Sequence, residues 1–219
     1  MAQRLEPKLD VLLLAQQQIW TGLAATVELG FVLYGGTAVA LHLGHRTSVD
    51  FDFFRTRAID KQELTSRFTF LRGATILQEK PDTLVVSAAM PAGAVKVSFF
   101  GGLRLKRVSD PIQTADDTLF VASLVDLMAT KLKATLDRAE AKDYQDIAAM
   151  ISAGVSLPTG LAAFRQMYDA EPGQVLRAIG FFGDGDLQNV SAVERKILRD
   201  ARDQVGALPE VSLRAGLTP

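Results

Sequence analysis

Apolar positions change their period along this chain. Up to about residue 118 they fall in short runs punctuated by glycine and proline, and beyond it they recur at helical spacing. Residues 5–28 read as one helix or two, with Leu9, Leu12, Leu13 and Gln16 on one face. Gly30 to Tyr34 is a short buried strand ending at Gly35-Gly36, and Thr37 to Leu43 a short helix stopped by Gly44. Residues 49–54 form a strand with Val49, Phe51 and Phe53 toward a core. Residues 60–68 are helical from Asp60, with Glu63 three positions on. Leu84–Met90 and Val95–Phe100 make a hairpin across Pro91-Ala92-Gly93-Ala94, and 101–118 is loop-like. Ser123 and Asp126 start a long helix to about Arg138. A second helix begins at Asp143 and ends at Gly154, and others follow around 159–180 and 190–206. No internal repeat or low-complexity segment interrupts this pattern. It predicts an α+β protein: an α/β half over 1–118 and a helical half over 119–219.

The 219 residues, 48% of them hydrophobic, suffice for a sizeable core, and no run is long enough to span a membrane. Val11-Leu12-Leu13-Leu14-Ala15 is followed by glutamines rather than a secretory cleavage site, which favours an amphipathic helix. Absence of cysteine excludes disulfides, thiolate zinc sites and cysteine nucleophiles, and cytoplasmic residence is expected. A net charge of −1 gives the whole chain no attraction to nucleic acid, so a polyanion must be met locally. Arg104-Leu105-Lys106-Arg107 and the helical Lys131, Lys133, Arg138 and Lys142 are candidate patches, or simply solvated surface.

The densest chemistry lies between residues 34 and 54. Asp50 and Asp52 are two apart, so on a strand both carboxylates leave one face. Like charges held together call for a divalent cation, and the hard oxygen set suits Mg²⁺. The other reading is a solvated acidic edge strand, which the flanking Phe51, Phe53 and Phe54 oppose. Gly35-Gly36 between strand and helix is either a plain turn or a phosphate cradle, with Thr37 adding a hydroxyl. Together these features point to metal-dependent chemistry on a phosphate-bearing substrate. His42 and His45 read as surface or interface histidines, not zinc ligands.

Lys131 follows Leu124, Leu127 and Met128 at helical spacing and so sits on an apolar face. It either snorkels to solvent or reaches a triphosphate. Arg138 is one heptad on. Asp143, in Lys142-Asp143-Tyr144-Gln145-Asp146, either caps its helix or pairs with a base such as Arg138.

The run from Gly35-Gly36-Thr37-Ala38 through His45-Arg46-Thr47-Ser48-Val49-Asp50-Phe51-Asp52 resembles the signature of the AbiEii/AbiGii-type nucleotidyltransferase toxins. The block from Ala122-Ser123-Leu124-Val125-Asp126-Leu127 through Lys131, Arg138 and Lys142-Asp143-Tyr144-Gln145-Asp146-Ile147 is similar to that family's second block. Gly180-Phe181-Phe182-Gly183-Asp184 resembles a late element. The resemblance spans about residues 30–190. It implies a minimal polymerase-β-like nucleotidyltransferase core with a mixed sheet, and a helical domain completing the active-site cleft. It also implies an NTP substrate with Mg²⁺ or Mn²⁺, and a toxin role in a toxin–antitoxin or phage-defence pair. The acceptor would be RNA, at a tRNA 3′ end, with a cognate antitoxin as partner and no DNA. Asp50, Asp52, Lys131 and Asp143 would be catalytic, the first two as metal ligands. Gly35, Gly36, Thr37, Arg46, Ser48, Lys131, Arg138 and Lys142 would bind nucleotide. Transfer to protein or to a small molecule, or nucleotide binding without catalysis, are the alternatives. The superfamily's third carboxylate commonly lies on a later strand, where this chain has Ser98, and Asp82 would replace it only with a rearranged strand.

Overall fold

A computed structural model describes residues 4–218, which divide into two compact units. The first comprises residues through Leu105, 110–122, and those from 216 on; the second comprises 106–109 and 123–215.

In the first unit, the N-terminal stretch is broken into short turns that include α1 (Leu14–Ile19) and α2 (Ala25–Glu28). Then come β1 (Val32–Tyr34), α3 (Gly35–Leu43), β2 (Asp50–Phe54), α4 (Lys61–Arg67), β3 (Thr75–Lys80), β4 (Thr83–Met90) and β5 (Gly93–Phe100). Two short strands, β6 (Ile112–Gln113) and β7 (Phe120–Val121), close the unit. Among the described residues these strands make one seven-stranded mixed sheet, ordered β3-β4-β5-β2-β1-β7-β6. β2 runs antiparallel to β1 and parallel to β5.

This order places β1 and β2 inside the sheet, which explains their composition. Phe51 and Phe53 are fully buried on one face, where Phe53 stacks on Phe99 at 5.5 Å and Phe31 meets Phe99 edge-on at 5.3 Å. The alternate β2 residues, Asp50, Asp52 and Phe54, turn to the other face and are half-buried. Val49 does not join the core. It precedes the strand and is 53% exposed, because the alternation begins only where pairing with β5 begins.

β3 was not expected. All six of its residues are exposed, so hydrophobic alternation, the usual sign of a strand, is missing, and pairing with β4 defines it instead. β6 and β7 are two residues each and lie in or beside the stretch read as loop. Asp60 caps α4 as its position suggested, accepting from the amides of Gln62 and Glu63.

The second unit is helical: α5 (Leu124–Asp137), α6 (Ala141–Ser152), α7 (Leu157–Tyr168), α8 (Gly173–Ala178) and α9 (Ala192–Asp203). The apolar stripe of α5 is buried through Leu127, Met128 and Leu132, and α6 buries Tyr144, Ile147 and Met150. Ser123 caps α5 by accepting from the Asp126 amide at 3.1 Å. Asp126 does more than complete a cap. Buried, it accepts from Ser123 Oγ (2.7 Å) and from the amides of Val108 (2.8 Å) and Ser109 (3.2 Å), tying residues 106–109 to α5. Burial raises its pKa, and those hydrogen bonds oppose the rise. The stretch read as helical over 159–180 is two helices, α7 stopping at Asp169 in a left-handed conformation.

Candidate functional site

β1 delivers the chain to Gly35, which turns it into α3 with a φ of +75°, a conformation that favours glycine. Beside this turn lies Asp52, placed opposite Tyr34 by the antiparallel register. A Cβ added to Gly35 would meet Asp52 Oδ2 at 2.7 Å, and one added to Gly36 would meet an Arg46 guanidinium nitrogen at 2.6 Å. The glycine pair is therefore more than a turn. It lets the first turn of α3 lie directly against a carboxylate and a guanidinium.

Thr37, buried in α3, donates to the backbone oxygen of Asp50 and lies 2.9 Å from Ser48 Oγ. The pair ties the first turn of α3 to the chain entering β2. Arg46 donates to the Thr47 carbonyl (3.0 Å). The first unit thus brings together Gly35, Gly36, Thr37, Arg46, Ser48, Asp50 and Asp52.

One more residue joins this face, and it was missed in sequence. The parallel register sets Lys96 opposite Asp50 and Ser98 opposite Asp52. Lys96 Nζ lies 3.3 Å from Asp50 Oδ2, with both side chains partly exposed, while Ser98 is buried. The signal was present in the parity of β5, since Lys96 precedes Ser98 by two and must share its face. Asp82 does not supply the absent acid. Its carboxylate accepts from the Ile59 amide (3.0 Å), and the register sets Val85 opposite Ser98.

Two half-buried carboxylates with oxygen-only chemistry fit one hard divalent cation whose other positions go to water or phosphate. Among the described residues no group of three or more His, Asp or Glu side chains converges as a metal site.

The second unit carries a buried ionic cluster. Lys131, 5% exposed, neither snorkels nor stands alone: its ammonium lies 2.7 Å from Asp143 and 2.6 Å from Asp146, both fully buried. Arg138 donates from Nε to the other Asp143 oxygen at 2.8 Å. Burial alone would raise the Asp143 pKa. The Arg138 hydrogen bond and the Lys131 ammonium outweigh it and hold the carboxyl below its ordinary value. Asp143 thus pairs with bases and does not cap α6, whose N-cap position is Glu140. Lys142 points elsewhere, to Glu140 at 2.8 Å, and is half-exposed. In the late element, Phe182 packs against Tyr144 with the guanidinium groups of Arg195 and Arg199 about its ring, and Phe181 is exposed.

His42 is structural: its half-buried ring donates from Nε2 to the Ala122 carbonyl (2.9 Å), and partial burial lowers its pKa despite that bond. No helix among the described residues is long and apolar enough to cross a membrane.

An α+β nucleotidyltransferase fold is shared with a known structure. The chain superposes on MenT4, a nucleotidyltransferase toxin from Mycobacterium tuberculosis, with a TM-score of 0.60 over 88% of this chain and 83% of that one, at 17% identity. Residues 19–215 match the family model described as nucleotidyl transferase AbiEii toxin, type IV toxin–antitoxin system, and the chain belongs to that family. It is also 31% identical over 119 residues to an uncharacterized protein of Aquifex aeolicus, a match covering 53% of this chain. That match spans about half the relative's length (55%).

Proposed function

We propose that this protein transfers a nucleoside monophosphate from an NTP to a hydroxyl on RNA, at a tRNA 3′ end, as the toxin of a toxin–antitoxin or phage-defence pair. One observation carries the reading: Asp50 and Asp52 share a face of an interior strand, and the glycine turn of α3 lies against Asp52. Family membership supports the nucleotidyltransferase class and a cognate antitoxin as partner.

Asp50 and Asp52 would hold Mg²⁺ or Mn²⁺, which when bound neutralises the triphosphate and favours ionisation of the attacking hydroxyl. The first amides of α3 and the Thr37 and Ser48 hydroxyls are groups that bind phosphate oxygens, and Arg46 adds a cation beside the glycines. In the second unit we assign the half-exposed Arg138 and Lys142, rather than the buried and ion-paired Lys131, to neutralising triphosphate charge. Asp143 and Asp146 hold Lys131 in place. The acceptor oxygen forms a bond to the α-phosphorus, the bond to pyrophosphate breaks, and the hydroxyl proton passes to solvent.

Ser98 at the place of a third acid favours a second reading, nucleotide binding without transfer. The two separate when the protein is incubated with each α-labelled NTP, total bacterial tRNA and a cell lysate, and the products are fractionated. Label in the RNA fraction supports the proposal. Label confined to protein or to small molecules replaces the acceptor, and label nowhere, with NTP bound in calorimetry, leaves a binding protein.

A further inference from the structure

The register between β2 and β5 puts a cation opposite Asp50 and only a neutral hydroxyl, Ser98, where two-metal chemistry would need an acid. Three positions on this face bear directly on the carboxylate pair: Lys96 opposite Asp50, Ser98 opposite Asp52, and Tyr34 across β1. None of them is an anion. Arg46 stands beside the same glycine turn, so the two carboxylates face two cations, Lys96 and Arg46, and little net negative charge is left for a second divalent ion. A second divalent ion also needs a ligand to share with the first. Ser98 is a neutral hydroxyl and a poor bridge, and one Asp50 oxygen already faces Lys96 Nζ at 3.3 Å.

Resting on the assignment of Asp50 and Asp52 as metal ligands, we propose that the site takes one divalent cation and that Lys96 fills the electrostatic place of the second. Lys96 is a positioning residue. It acts through Asp50, offsetting part of the carboxylate repulsion before metal arrives and holding Asp50 on the shared face. Its stem rises from a strand paired on both sides, so the ammonium is presented by the sheet rather than by a loop. It is 45% exposed in its side chain, which leaves it open to solvent. A fixed ammonium also competes with metal for Asp50. The protein therefore binds its single cation more weakly than the bare carboxylate pair would.

The test is electron paramagnetic resonance of Mn²⁺ added to the full-length protein, alone and as an equimolar complex with an NTP analogue that cannot be cleaved between the α and β phosphates. The wild type is expected to give the spectrum of isolated Mn²⁺ even with two equivalents added. Without nucleotide, Lys96→Met is expected to bind Mn²⁺ about fivefold more tightly, as loss of one partly exposed charge partner implies, and Lys96→Arg to match the wild type. A spin-coupled Mn²⁺ pair in the wild type overturns this inference and leaves the transferase reading standing. Unchanged Mn²⁺ affinity in Lys96→Met, with the fold intact by circular dichroism, overturns the role of Lys96. Failure of the wild type to bind Mn²⁺ in either form removes the metal assignment and this inference with it.

Discussion

The Asp52 carboxylate fills the space that a side chain on Gly35 would require, with Oδ2 only 2.7 Å from where a Cβ would stand. Strand, turn and helix meet at this contact, so backbone conformation and site chemistry depend on each other there. The neighbouring Gly36 differs in kind. Its φ is not positive, and what a Cβ would meet is the tip of the flexible Arg46 side chain.

Substitution at the two glycines should therefore separate. Gly35→Ala carries a left-handed backbone penalty of about 1 kcal/mol and also displaces Asp52, so both melting temperature and transfer should fall. Gly36→Ala should fold nearly as well as wild type and lose nucleotide affinity as Arg46 moves. Thermal melts beside calorimetric NTP binding check this. Equal stability losses at the two positions would count against it.

Lys131 is expected to hold the second unit together. Lys131→Met leaves two fully buried carboxylates without their shared ammonium, and breaking such a pair costs about 3–5 kcal/mol. Adding Asp146→Asn should recover part of the loss by removing one of the stranded charges. Urea unfolding followed by helical circular dichroism measures both steps. A stable single variant would show that the cluster contributes little.

The acid limb of stability should carry the signature of Asp143. Its folded pKa lies below the ordinary 3.8, so its contribution is complete above the unfolded pKa and is lost as pH falls through the folded one. Stability should be flat in this respect at neutral pH and decline below about pH 4. Asp143→Asn should be less stable at pH 7 and show a shallower acid decline. Parallel pH profiles for the two proteins would contradict the linkage.

Much of this architecture was legible in the residues. Asp50 and Asp52 alternate with Phe51 and Phe53, and an interior strand with one buried face reads that way. Gly35-Gly36 marked the turn, and the family blocks matched in order. Less legible was whatever the sheet's pairing decides. β3 is exposed on every residue, so only its partner β4 defines it, and Val49 lies outside the alternation because pairing stops there. Lys96 was passed over because a lysine on a strand usually reads as solvated surface. Only the register opposite Asp50 gives it a place at the site. Lys131 showed its apolar face in sequence, but its partners Asp143 and Asp146 come from the next helix and required the packing of α5 on α6.

The most direct measurement is label transfer from α-labelled NTP to tRNA by the wild type and by Asp52→Asn, with melting temperatures taken in parallel. The amide removes a metal ligand and also relieves repulsion between like charges, so transfer should vanish while thermal stability stays the same or rises. An Asp52→Asn protein that labels tRNA as fast as the wild type would contradict the assignment of this strand face as the site of nucleotidyl transfer.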